Sequence, residues 1–589
     1  MQCRRGLMST WPPGHVIFFS LCVLFVPLAH ATAAPALDIS TELGIGGWVV
    51  PGTFTPLRVE VTAPEHVDGI LEVDVPALGG DPPMRHLHAV RVTPGARQQI
   101  AFDVIISDPR RPLTLRVRSG RTLLAHREIP VGVQRTAEGV VAALTREAAG
   151  LEFLSESSRK LRPAYLGEDA LPLRWQSYGA VDLVALRDID SRALRPAQQQ
   201  ALIDWVAQGG RLLVSARDGG VIPEWLQPLL PARIDAARFS RAPGLPVRLA
   251  GLEPLRGGSV VRRAGDAPVA VRGRYGRGIV EVWAFDAFAP SARVWPGRLT
   301  LWQSLLAVPR ALPLAHEAVA GELPQTRALP GSTQAVLASL SVLYIVALRF
   351  VVRRVGGRRG GWIGILATIA LFAAVLFTFA SGARAGATAL AQVSIVESLP
   401  TARSARVTTY ASLITPYGGD FVIRLPEGAG IRRLGPAALR IIETGRVVEG
   451  SAASGHLTLE ATQMIALNLP VEARAGGGVL DLVVGGGSTM PVRDAVLYRG
   501  RQLYRLSEGL NPGRIRVDPA RWERVDRPGV LGGETAGRAL EWLFGQLDRA
   551  AGADLWLLGR IDDARLEIRL AGGAAGPTTQ LLVIPVVVR

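Results

Sequence analysis

Apolar and polar residues alternate with period two from residue 37 to about residue 133, with Gly and Pro breaking the runs. A period of two places alternate side chains on opposite faces of an extended chain. Segments 56–62 (PLRVEVT), 69–76 (GILEVDVP), 85–92 (RHLHAVRV), 98–106 and 112–119 (PLTLRVRS) are therefore predicted as half-buried strands. Short strands at this close spacing predict an antiparallel β-sandwich over 35–134. His86 and His88 share one strand face. The nearby sequence supplies no third ligand for a metal, so they are expected as a polar, solvent-facing pair.

The period changes near Arg135. Residues 136–149 carry helical spacing, and a short strand is expected at 164–167. Residues 181–186 (VDLVAL) form a short apolar run of the kind found in buried parallel strands. Pro196 opens a helix through Ala207 with Leu202, Trp205 and Val206 on one face and Gly209-Gly210 closing it. Strands at 211–216 (RLLVSA) and 278–286 (GIVEVWAFD) follow, separated by a β-rich insertion, and 299–307 closes the unit as a helix. Strand, helix, strand in this rhythm predicts an open α/β sheet over 135–309.

A third pattern begins after the Pro-rich linker 310–332. Residues 334–352 and 361–383 are apolar runs of the length that crosses ~30 Å of hydrocarbon as helices. Between them, residues 353–360 hold Arg353, Arg354, Arg358 and Arg359 with Gly356, Gly357 and Gly360. Arginine-rich short loops stay in the cytoplasm, so 333–383 is predicted as a transmembrane hairpin whose turn these arginines keep inside. Small residues four apart, Ala335 with Ser339 and Gly360 with Gly364, allow close helix contact. Tyr344 is the only ionisable group from Gln334 up to Arg349, and the second span has none before Arg384. An ion or proton path through this chain alone is therefore not expected.

Alternation returns at 392–397, 405–414, 420–425, 439–449, 457–470 and 479–484, with a hairpin at 494–506. One amphipathic helix is expected at 535–550, with Leu540, Leu543, Phe544 and Leu547 as its stripe and Trp542 beside it. Strands at 554–559, 565–570 and 580–588 end the chain, the last (LLVIPVVV within it) as a buried closing strand. Residues 388–589 thus read as a second β-sandwich with one helix. The fold class is multidomain, α/β and all-β, with membrane helices.

Composition sharpens the location more than the chemistry. The 589 residues are 48% hydrophobic and 20% charged, as in folded protein, and carry a formal charge of +16. Lys160 is the one lysine, so the excess is arginine spread over the chain. That spread points to a solvated surface and not to nucleic acid. Arg4 and Arg5, the apolar stretch 16–28 and Ala29-His30-Ala31 have the parts of a secretory signal over 1–31. The cysteines are Cys3 and Cys22 alone, so a chain starting near Thr32 has neither a disulfide nor a thiol nucleophile. A membrane location is expected, with the domains on both flanks of the hairpin on the side away from the cytoplasm.

Candidate chemistry gathers beyond the carboxyl ends of the α/β strands, where ligands of such sheets bind. Asp188 and Asp190 follow one strand, Ser215 ends the next and Asp218 follows it, and Asp286 ends a third. Converging carboxylates could hold Mg²⁺ or Ca²⁺; as turn and cap residues they need hold nothing. Residues 273–278 (GRYGRG) precede a strand and are expected as a hairpin, not a phosphate cradle.

Residues 181–216, VDLVALRDIDSRALRPAQQQALIDWVAQGGRLLVSA, followed by GRYGRGIVEVWAFD, resemble the class I glutamine amidotransferase-like fold in the diverged form of uncharacterised bacterial envelope proteins. Catalytic members carry Cys on the turn after a buried strand, with His and Glu nearby. Here the matching strand end is Val214-Ser215-Ala216-Arg217, and no histidine occurs between His126 and His316. Ser215 would need a base to act as a nucleophile. The resemblance implies a non-catalytic membrane protein, without cofactor, whose periplasmic domains bind or scaffold an envelope partner. Similar anchored domains serve as accessory subunits of ABC-type export systems, which is the alternative. A diverged hydrolase using Ser215, or a metal on Asp188, Asp218 and Asp286, is the second alternative.

Overall fold

The structure is a computed structural model and describes residues 37–132, 136–145, 150–156, 161–187, 194–216, 221–241, 245–308, 318–321, 323, 331–355, 361–384, 388–399, 401–415, 419–435, 437–442, 446–452, 455–467, 469, 471–476, 479–484, 492–499, 502–506, 513–517, 543–547, 555–572 and 574–588. The described chain is mostly β, in several sheets, with few helices.

Strands Asp38–Leu43, Phe54–Thr62 and Arg97–Ile105 form one antiparallel sheet. Met84–Val92, Val67–Val75, Leu113–Ser119 and Thr122–Ile129 form half of another. Val59, Leu71, Val73, Phe102, Leu115 and Val117 from the two sheets share one core, because the period-two pattern turns every second residue inward. The histidine pair departs from expectation. His86 and His88 face inward and are buried, their rings 5.4 and 4.1 Å from that of Phe102. On this strand the inward face is the one with Met84, Val90 and Val92, and the histidines occupy two positions of the same face.

The α/β unit is built on five parallel strands in the order Leu161–Leu166, Gly139–Leu144, Val181–Leu186, Arg211–Ser215 and Gly278–Trp283. Ala267–Tyr275 and Ser259–Ala264 extend it antiparallel. The helix Pro196–Ala207 has the expected bounds and buries Leu202, Trp205 and Val206. The helix expected at 136–149 is instead the strand Gly139–Leu144, with residues 146–149 outside the described ones. All six of its residues are buried between two parallel neighbours. A short apolar run buried on both faces carries no period, so helical spacing around it misleads. The GRYGRG stretch is a hairpin. Gly276 turns it with φ +58°, and an added Cβ there would sit 2.5 Å from the carbonyl oxygen of Ala207.

Two consecutive helices, Gly331–Val355 and Gly361–Arg384, pack on each other. The rings of Tyr344 and Phe372 lie 5.3 Å apart, and Gly364 faces Val351. These contacts make the pair antiparallel. Ala335–Arg354 is long and apolar enough to cross a bilayer, and Trp362–Thr378 is a second, shorter apolar stretch. Ile345, Phe350, Trp362, Ile363, Leu366 and Phe377 are exposed. Ser339, Ser341, Thr368 and Thr378 all donate their hydroxyls to carbonyls one turn back in their own helix, to Ala335, Leu337, Gly364 and Ala374.

Beyond the helices, Ala389–Leu399 pairs antiparallel with Ser404–Thr415 and parallel with the last strand, Ala574–Val588. That last strand also pairs with Leu555–Ile561 and Val471–Gly476, so it is central and buried as expected. Of the helix expected at 535–550, residues 543–547 are described as helical, with Leu543 and Leu547 buried; Leu540 and Trp542 lie outside the described residues.

The strands after the helices join those before them. Ala438–Ile442 pairs parallel with Met84–Val92, matching Leu439 with Met84 and Ile441 with His86. One eight-stranded sheet therefore runs from Arg569–Leu570 through Gly419–Arg424, Val447–Ala452 and Ala438–Ile442 into the four N-terminal strands. Further bonds reinforce the joint. Gln176 donates to the carbonyls of Gly428 (3.0 Å) and Thr462 (3.1 Å). Arg277 pairs with the buried Glu397. Arg406 stacks 5.6 Å from the ring of Trp175 and donates to Gln208 Oε1 at 3.3 Å. Both ends of the helix pair return to the same sheet. Ala320 and Leu323 pack with Val393, Ile395 and Tyr410, and Ala389 begins a strand five residues after Arg384.

Candidate functional site

The order of the five parallel strands reverses between Gly139–Leu144 and Val181–Leu186, since the second strand lies outside the first and the later ones continue on its other side. The crevice beyond the carboxyl ends at that reversal is where open α/β sheets hold ligands. Thr145 and Arg187 are the residues that leave these two strands.

Arg187 fills the crevice. Its Nε lies 3.1 Å from each carboxylate oxygen of Asp286 and its Nη2 lies 3.0 Å from Oδ2, while Nη1 donates to Thr145 Oγ1 at 3.4 Å. Both partners are largely shielded, with the arginine side chain 8% exposed and the aspartate 17%. Asp286 Oδ1 also accepts from the Phe288 N–H at 3.0 Å. A bidentate, charge-assisted pair of this kind is among the stronger side-chain interactions. The carboxylate expected as a cation ligand already faces a fixed positive charge.

Ser215 is buried, and its hydroxyl is used on both sides. It donates to the Phe285 carbonyl at 3.0 Å and accepts from the Ala287 N–H at 2.7 Å. This clasp ties the end of Arg211–Ser215 to the segment after Gly278–Trp283. Ser215 and Asp286 are thus brought together by the fold, as neighbours of one chain segment, while Asp188, Asp190 and Asp218 lie outside the described residues. Among the described residues no group of three His, Cys, Asp or Glu side chains has metal-binding proximity. Arg353 and Arg354 stand in the last turn of the first apolar helix; Arg358 and Arg359 lie outside the described residues.

Sequence reasoning passed over Arg187 and Thr145. The available signal was position, because each is the first residue after a buried strand on either side of the order reversal. The Glu152 carboxylate accepts from the Gly150 N–H at 2.8 Å, and the backbone N–H groups of Glu152 and Gly150 hold its carboxyl below the usual carboxylate range.

A second concavity of about 190 Å³ lies between the three-stranded sheet and the α/β unit, lined by Arg58, Asp103, Leu173, Arg174, Ser177 and Arg195 among others. Its polar groups bind one another. Arg58 reaches Glu42 (2.8 Å) and the Asp169 carbonyl (2.6 Å), and Ser177 donates to Asp103. It is small beside the ~300 Å³ at which organic ligands are usually enclosed.

Among solved structures, a cytoplasmic protein from Salmonella typhimurium LT2 is similar at 16% identity over 29% of this chain and 99% of its own, with a TM-score of 0.24. The exo-β-1,4-mannosidase Op5Man5 from Opitutaceae bacterium strain TAV5 is similar at 19% identity over 29% of this chain and 35% of its own, with a TM-score of 0.22. Similarity at these scores carries no argument about activity. No curated protein matches the chain by sequence. A family model described as a domain of unknown function (DUF8726) matches residues 36–132, which is the first β unit.

Proposed function

We propose that this chain is an inner-membrane protein whose two apolar helices cross the bilayer as a hairpin, and whose β-rich body is a non-catalytic binding or scaffolding platform for an envelope partner. The observation that carries the reading is the parallel ladder of Met84–Val92 with Ala438–Ile442. Strands that share backbone hydrogen bonds occupy one compartment, so the chain between them crosses a membrane an even number of times. A pair of antiparallel apolar helices meets that requirement. Its exposed Ile, Leu and Phe side chains suit lipid, and the hydroxyls of Ser339, Ser341, Thr368 and Thr378 are bonded within their own helices. The arginines at 353–359 favour a cytoplasmic turn and a periplasmic body.

The platform part of the reading is supported at the strand ends. The amidotransferase-like position of a nucleophile holds Ser215 with its hydroxyl engaged on both sides, and Asp286 is held by Arg187. An α/β unit so filled, joined to two β layers, offers rigid surface in place of a reaction centre.

Co-purification in mild detergent tests the reading. Stoichiometric recovery of a soluble envelope protein or polymer that stays bound to the body after the helices are removed by proteolysis is the expected result. Recovery of a permease and its ATPase instead would favour the export-accessory alternative, and a turnover lost in Ser215→Ala would favour the hydrolase.

A further inference from the structure

We propose that the turn end of the helix pair holds the phosphodiester headgroup of an anionic phospholipid between Arg349, Arg353 and Trp362, an inference that rests on the hairpin reading above. Arg349 and Arg353 are four apart on one helix and so stand on one face, one turn above the other. Arg354 lies over the ring of Phe350, 5.3 Å from its centroid. The contacts of Tyr344 with Phe372 and of Val351 with Gly364 set a register in which Trp362 lies level with Arg353, and Trp362 is 73% exposed. Two guanidinium groups one turn apart, an arginine-capped Phe and an exposed indole thus lie within the last two turns at the end of the pair, the arrangement that suits the headgroup layer of a bilayer.

Charge argues for the ligand. No Asp or Glu occurs between Glu322 and Glu397, whereas arginine stands at 327, 349, 353, 354, 358, 359 and 384. None of Arg349, Arg353 and Arg354 has an acidic partner among the described residues, while Arg58, Arg85, Arg116, Arg187 and Arg272 in the body are all paired. The excess at the turn is left to water and to anions outside the chain. Lipid phosphate is the anion present at that depth, and a planar guanidinium fork matches its oxygens. Arg349, a turn deeper than Arg353, reaches the same phosphate by extending its stem toward the surface.

The test is native mass spectrometry of the full chain released from nanodiscs of equal parts phosphatidylglycerol and phosphatidylcholine. The wild type is expected to retain phosphatidylglycerol preferentially. Arg349→Gln with Arg353→Gln should lower the retained ratio roughly tenfold, while Arg91→Gln with Arg97→Gln, on the body, leaves it unchanged. Equal retention of the two lipids, an equal loss in the body variant, or displacement of the lipid by 20 mM inorganic phosphate would overturn the proposal. Alkaline carbonate extraction of the same variants keeps the two readings apart. Release of the wild type from membranes would refute the hairpin, whereas retention in the membrane without lipid selectivity would refute only the headgroup site.

Discussion

Met84 and Leu439 are cross-strand neighbours in one parallel ladder, although the α/β unit and both apolar helices lie between them in sequence. The ladder, the Gln176 bonds to Gly428 and Thr462, and the Arg277–Glu397 pair make the flanks of the helices a single body. The helices are then an excursion from that body and back to it.

Cutting the excursion should not separate the flanks. A protease site inserted within 356–360 and cleaved in detergent is expected to give two fragments that elute together in size-exclusion chromatography. Separate elution without denaturant would mean that the seam is too weak to hold the halves.

Ser215→Ala leaves the Phe285 carbonyl and the Ala287 N–H without their partner in a buried setting. The expected cost is about 1–3 kcal/mol of stability, read by chemical denaturation. An unchanged stability would contradict the clasp.

At the order reversal, Arg187→Ala strands the carboxylate of Asp286 and should cost roughly 3 kcal/mol. Arg187→Met together with Asp286→Leu should cost less than Arg187→Ala alone, since no charge is left behind. Because the arginine already neutralises this carboxylate, millimolar Ca²⁺ or Mg²⁺ should leave the wild-type Tm in place. A rise of several degrees would restore the cation reading.

Asp204 makes stability depend on pH. Burial raises its carboxyl from 3.8 to about 6, against a smaller lowering by the hydrogen bond from Gln200. The folded state therefore binds this proton more tightly than the unfolded chain does. Its contribution is greatest below pH 3.8, is lost as the pH rises to about 6, and is constant above. Asp204→Asn should exceed the wild type by about 2–3 kcal/mol at pH 7.5 and match it near pH 4. An excess that does not change between those two pH values would contradict the assignment.

What the sequence made legible follows from how local each signal is. Period-two alternation located Phe54–Thr62 and Leu113–Ser119 to within two residues, and Pro196 with Gly209 bounded the helix Pro196–Ala207. Gly139–Leu144 has no period to read, because both its faces are buried, and the spacing around it points to helix. His86 and His88 are polar by type yet lie against Phe102 on the inward face, which alternation assigns only when the neighbouring apolar positions are counted with them. Ser215 and Asp286 are legible from their place at strand ends, but what they touch is not. The seam was invisible, since nothing in Leu439 or Met84 announces a partner so distant in the chain.

Compartment assignment of three residues tests the central claim most directly. In a background of Cys3→Ser and Cys22→Ser, single cysteines replace the exposed Arg91, the exposed Arg569 and Arg358, which lies between the two apolar helices in sequence. Spheroplasts are then treated with a membrane-impermeant maleimide. Arg91→Cys and Arg569→Cys should label in intact spheroplasts, and Arg358→Cys only after permeabilisation. Labelling of Arg91→Cys with protection of Arg569→Cys would put the two flanks on opposite sides of the membrane and contradict the shared sheet.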